Sequence, residues 1–141
     1  MNPYVDISLL REHLGDRTKD VKSRREGDLM FEDEELTSAL QAAARSYNSL
    51  PPFVGTAHWT RLSANSDMFL DAAAATAMER RARKLASERV AFTAGGIQTD
   101  PDGAIIDSLT KEAARLRDKF TREAAAFKAN QNWNAAFRRV G

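Results

Sequence analysis

The chain has 141 residues, 43% hydrophobic and 29% charged, with 21 Lys and Arg against 20 Asp and Glu for a formal net charge of +1. That length suits one domain with a serviceable core, and near-neutrality offers no bulk-charge case for binding nucleic acid or an anionic membrane. The absence of cysteine excludes a disulfide framework, a thiolate nucleophile and a Cys-ligated zinc site, and fits a cytoplasmic origin.

The start, MNPYVDISLL, has no basic region followed by a long apolar run, so no signal peptide is expected. The apolar stretch Ala72 to Ala75 is far below the ~20 residues a membrane-spanning helix needs. The sequence therefore reads as a soluble protein with no membrane partner. Four helices account for most of it. The first is short: Asp6 suits an N-cap, Ile7, Leu10 and Leu14 share a face, and Gly15 stands where a C-terminal glycine belongs. Residues 16–30, DRTKDVKSRREGDLM, are charged and weakly apolar, and read as an exposed loop.

The second helix lies within Phe31 to Pro52, FEDEELTSALQAAARSYNSLPP. Phe31 and Leu36 suit a hydrophobic staple, with Glu32 near the cap and Glu35 able to reach back as a capping-box acid. The acids Glu32, Asp33, Glu34 and Glu35 sit where the helix dipole favours negative charge. Leu36, Leu40, Ala43, Tyr47 and Leu50 recur at helical spacing, and Asn48 with Pro51 and Pro52 closes the element. An irregular connector, 51–66, follows, with Phe53, Trp59 and Leu62 expected to tack it to the core.

The third helix is expected from about Asp67 to about Phe92. It is alanine-rich, which raises helix propensity and lets a neighbour approach closely. Leu70, Ala74, Ala77, Met78, Leu85 and Phe92 define its apolar face. Arg81 and Glu88 fall on the same face, where they either pair across a subunit interface or lie at the stripe's edge and reach solvent by snorkelling. A Gly-rich loop, 94–104, precedes the most regular helix, whose stripe is Leu109, Ala113, Leu116, Phe120, Ala124 and Phe127. The end, ANQNWNAAFRRVG, loses that regularity, which divides the chain into a helical domain, 1–128, and a C-terminal tail, 129–141.

Chemistry-bearing patterns are thin. Adjacent helical acids diverge in direction, so Glu32 to Glu35 cannot converge on one cation. Asp100 to Gly103 resembles part of a calcium loop, but aligning Gly103 with the loop glycine puts Gln98 and Leu109 at ligand positions, so a turn is the better reading. Gly95-Gly96 belongs to no phosphate cradle, His13 and His58 stand in no HExxH pattern, and no serine sits in a GxSxG elbow. The reading is of a protein without catalytic, cofactor or metal residues. Acids interrupt the bases of the third and fourth helices, which argues against sequence-reading of nucleic acid. The C-terminal Trp133, Phe137, Arg138 and Arg139 are of types enriched at protein–protein hot spots. They either leave the domain to dock elsewhere or fold back on the core.

Charge is also unevenly placed. Residues 1–50 carry 10 acids against 7 bases, and residues 111–141 carry 8 bases against 3 acids. Such ends suit a neighbour's opposite half, although helix dipoles and solvated faces often produce the same imbalance.

The order LLREHLGD, the FEDEELTSALQAAARSYNSLPP block, an alanine-rich helix, a Gly/Asp loop, a long helix and a polar-aromatic tail resembles the small head-to-tail adaptor (connector) proteins of tailed bacteriophages. The tightest correspondence is Phe31 to Leu36 with Ala39, Leu40, Ala43 and Asn48. The charged loop 16–30 is less typical of it. The resemblance implies an all-α bundle of about four helices, with long third and fourth helices and an extended C-terminal tail. It further implies a virion structural protein, made in the host cytoplasm and assembled as a ring, usually of twelve subunits, beneath the portal. Such a ring extends the DNA channel, with DNA only as passing cargo, and offers a platform for tail or nozzle proteins. Docking of the tail into the portal would give Trp133, Phe137, Arg138 and Arg139 their role. The other expectations from the sequence are a small helical nucleic-acid-binding or DNA-packaging accessory protein, and a generic helical scaffold or regulator acting as a dimer.

Overall fold

A computed structural model describes residues 3–15, 31–51, 56–64, 67–94 and 103–140, with the side chains of 89–94 and 131–140 outside the description. Four α-helices follow in order: α1 (Ile7–Leu14), α2 (Asp33–Ser49), α3 (Met68–Ala94) and α4 (Gly103–Val140), with a 3-10 turn at Trp59–Arg61. The all-α fold expected from the sequence is what forms. No helix among the described residues is long and apolar enough to cross a membrane. The segments 16–30 and 95–102, with Phe53 and the Asp100–Asp102 turn, lie outside the described residues.

Helix α1 begins and ends as its sequence dictates. The Asp6 carboxylate accepts from the Leu9 amide at 2.8 Å, satisfying one orphan donor of the first turn. Gly15 closes the helix at φ 74°, its amide donating back to the Arg11 and Glu12 carbonyls, a left-handed conformation that costs other residues more. Helix α2 carries its staple: Phe31 and Leu36, one before the cap and one in the next turn, are both fully buried. Glu32 occupies the cap as expected, but its side chain makes no cap hydrogen bond. The cap preference is for short side chains, and the neighbouring Asp33 is engaged by Arg11 instead.

Helix α3 is the centre of the molecule. It packs along both α2 and α4 and touches α1. Its first half is not a one-faced stripe: Ala72, Ala73, Ala74 and Ala75 are all buried, as are Asp71 and Thr76. Buried on every side, it is apolar nearly all round, and alanine keeps the packing distances short. Further along the stripe dissolves, with Met78, Arg81 and Leu85 half-buried and Glu88 exposed. Phe92 falls outside the described side chains.

Helix α4 starts at Gly103, earlier than the loop expected over 94–104 allows, and its backbone stays helical to Val140. The segment expected as a tail beyond the regular helix thus continues α4. Ala113, Leu116, Phe120 and Ala124 form its buried stripe, but Phe127 is 43% exposed and Lys128 is buried in its place. The reason is a change of neighbour. Glu79 pairs with Arg117, and Met68 lies as far before Glu79 on α3 as Lys128 lies beyond Arg117 on α4. At Lys128, α3 has ended and α4 meets the C-terminal end of α2.

The connector after α2 is fastened at both ends. The Asn48 side chain donates to the Ala57 carbonyl and accepts from its amide, both at 2.8 Å, imitating a backbone pairing. Tyr4 and Ser63 form an antiparallel bridge, Val5 donates to the Leu62 carbonyl at 2.8 Å, and Leu62 is buried beneath.

Candidate functional site

Two features carry what the molecule can do: a charge cluster inside the bundle, and the surfaces α2 and α4 turn outward. The cluster centres on Asp71, 1% exposed on α3. His13 of α1 places Nε2 2.8 Å from Oδ1, and Lys119 of α4 places Nζ 3.0 Å from Oδ2. One buried carboxylate therefore joins three helices. Hydrogen bonding to Asp71 raises the Lys119 pKa, with the charge of Asp71 adding to it. A buried carboxylate without partners would be costly, so the Lys119 ammonium and the His13 ring are what permits Asp71 there. In the sequence His13 stands in no motif, and Asp71 is one of the acids that interrupt the bases of the third helix. Their pairing spans 58 positions, and no local pattern announces it.

A second missed residue is Lys128. Its ammonium donates to the carbonyls of Tyr47 and Leu50 at the end of α2 and lies 4.5 Å from the Tyr47 ring centroid. A cation on terminal carbonyls satisfies acceptors the helix leaves open and complements its dipole. Burial lowers the Lys128 pKa and raises that of Tyr47. The signal available in sequence was only that 128 follows 124 at helical spacing.

Charged pairs stitch the remaining joints. Arg11, largely buried, donates to the Phe31 carbonyl at 2.9 Å and to Asp33, tying α1 to the start of α2. Arg117 holds Glu79 through two hydrogen bonds, 2.9 and 3.1 Å, and adds one to Thr76. Arg80 donates to Ser38 at 2.7 Å.

These pairs also set how the helices lie. Ser38 is level with Arg80 and Tyr47 meets Phe69 edge-on, so α2 and α3 run antiparallel; Arg117 with Glu79 and Lys119 with Asp71 make α3 and α4 antiparallel too. Helices α2 and α4 therefore run parallel, flank α3 on different sides, and meet only around Lys128 among the described contacts. On α4 the outward side presents Lys111, Arg115, Asp118 and Arg122, all exposed. Arg115 is chelated by Glu112; that hydrogen bond lowers the Glu112 pKa and raises that of Arg115. On α2 the outward side presents Glu34, Gln41 and Arg45.

The sequence-derived interface residues lie on α3 and α4. Arg81 is half-buried and Glu88 exposed on α3, two turns apart. Trp133, Phe137, Arg138 and Arg139 lie on the helical backbone of α4, but their side chains are outside the description. Ile105 and Phe127, the large exposed hydrophobics among the described residues, stand toward opposite ends of α4. No group of three or more acidic or histidine side chains able to hold a metal occurs among the described residues.

Comparison with protein-family models, curated proteins and solved structures gives no match.

Proposed function

We propose that this chain is a virion structural protein of the phage head–tail junction: an adaptor that assembles as a ring under the portal, extends the DNA channel and offers tail proteins a platform. The observation that carries the reading is the reach of α4. At 38 residues it is about 57 Å long, and its last ~18 Å, from Ala129 to Val140, runs beyond the level at which α3 begins. A body stitched by ion pairs, with one helix running on past the ends of its neighbours α2 and α3, is suited to hold one partner at a fixed distance from another. The order of elements that resembles the adaptor family supports the same reading, with Trp133, Phe137, Arg138 and Arg139 on the projecting part as the portal contacts.

The test is the mass of the assembly formed with purified portal rings. The native chain joins the portal, and a chain lacking 129–141 does not. If the truncated chain joins at full strength, the projecting helix is not the docking element. If the native chain ignores the portal but binds duplex DNA with a steep salt dependence, the packaging-accessory reading replaces the adaptor.

A further inference from the structure

We infer that copies of this chain join head to tail, the outward side of α4 in one copy covered by the outward side of α2 in the next. The inference rests on the ring assembly proposed above and names the two surfaces that would make it.

Helix α4 is partnered on one side only. Between Lys111 and Ala129, the side chains opposite the buried stripe are exposed, and they alternate charged residues with the small Ala114, Thr121 and Ala125. A face so shallow lets a second helix approach closely. What selects the occupant is charge at matching height. Because α2 and α4 of one copy are parallel, a neighbour set beside it in the same orientation brings its α2 alongside this α4, also parallel. Ser38 shares a level with Arg80, next to Glu79, which is paired with Arg117. One turn before Ser38, the neighbour's Glu34 and Glu35 then come level with Ala113, between Lys111 and Arg115. The acidic first turn of α2 meets Lys111 and Arg115, the latter also held by Glu112 of its own helix. Further along, the uncharged Gln41 and Ala42 face Thr121, and Arg45 arrives beside Arg122 and Glu123. Opposite charges at one end and small residues in the middle fix both partner and register.

The two surfaces are different patches on different sides of α3. The contact is therefore heterologous, and repetition gives a closed ring or a filament, never a symmetric dimer.

The absence of cysteine makes a cross-linking test clean. Gln41→Cys and Thr121→Cys are exposed, uncharged positions on the two surfaces, and a short bismaleimide reports their proximity at high protein concentration. Either single variant stays monomeric on a denaturing gel, an equal mixture gives a dimer band, and the double variant gives a ladder. Adding Glu34→Lys with Glu35→Lys to the double variant reduces the ladder about ten-fold at low salt. Adding Lys111→Glu with Arg115→Glu to that chain restores it. Self-linking by a single variant as strong as linking in the mixture, absence of a ladder, or a ladder indifferent to both reversals overturns the inference. A missing ladder from a chain that still joins the portal rejects this interface alone. A ladder from a chain that ignores the portal leaves the interface standing and rejects the adaptor reading.

Discussion

Replacing Asp71 with Asn tests whether the buried carboxylate is what clamps α1 and α4 onto α3. The side chain is 1% exposed and contacts His13 at 2.8 Å and Lys119 at 3.0 Å. A hydrogen bond to a charged group contributes roughly 1.5–3 kcal/mol. His13 is 23% exposed and Lys119 39% exposed, so water takes over part of each contact on loss of the charge. The His13 bond is worth about 2 kcal/mol and the Lys119 contact, an ion pair without good hydrogen-bond geometry, about 1 kcal/mol. The amide keeps one neutral hydrogen bond, about 1 kcal/mol, leaving a net loss of about 2 kcal/mol. For a chain of this size that lowers Tm by roughly 4–8 °C. Urea titration followed by helical circular dichroism measures it, with an unchanged slope. The pH dependence provides a second readout. A lysine whose folded-state pKa is raised adds stability that is complete below its ordinary value of 10.5 and is lost as pH rises through the raised value. The gap between native chain and variant therefore narrows above pH 10.5 and is constant just below it. A variant within about 0.5 kcal/mol of the native chain, outside the range of a lost charged hydrogen bond, would refute the clamp.

Three further outcomes follow from the packing. Leu40→Ala, at a fully buried position on α2, removes about 3 kcal/mol by transfer loss and cavity, read as a shift of the urea midpoint. Asn48→Ala breaks both bonds to Ala57 and costs about 1–2 kcal/mol; faster hydrogen exchange at the Ala57 amide, with the α3 amides unchanged, locates the effect. Gly15→Ala places a Cβ in open space but at φ 74°, so its cost is the left-handed strain alone, about 1 kcal/mol. An unchanged midpoint there would mean the helix end had relaxed to another conformation.

Local chemistry was legible in the sequence, and contacts between distant segments were not. Asp6, Gly15, Phe31 and Leu36 act through neighbours a few positions away, so their roles follow from spacing. Glu32 shows the limit even there, because the cap it occupies depends on which acid Arg11 claims from another helix. His13 and Asp71 are ordinary surface residues by type; only the crossing of α1 over α3 buries Asp71 against a half-buried His13. Phe127 and Lys128 were exchanged for the same reason. Helical period places both near the stripe, and the end of α3 decides which is covered. Asn48 reads as a helix stop, and its second role depends on where the connector returns.

The alanines of α3 have a consequence for dimensions. Packed helix axes stand 8–10 Å apart, the lower values going with small side chains. Ala72, Ala73 and Ala75 have no exposed surface on a helix that packs along both α2 and α4, so methyl groups in place of larger side chains let the three layers lie close. A leucine at Ala73 would act as a shim, prying the layers apart before it altered any surface residue. Repeated around a closed assembly, a shim in every copy would accumulate into a different circumference. In the ring proposed above, the gauge of the assembly would thus be written in the chain's smallest side chains.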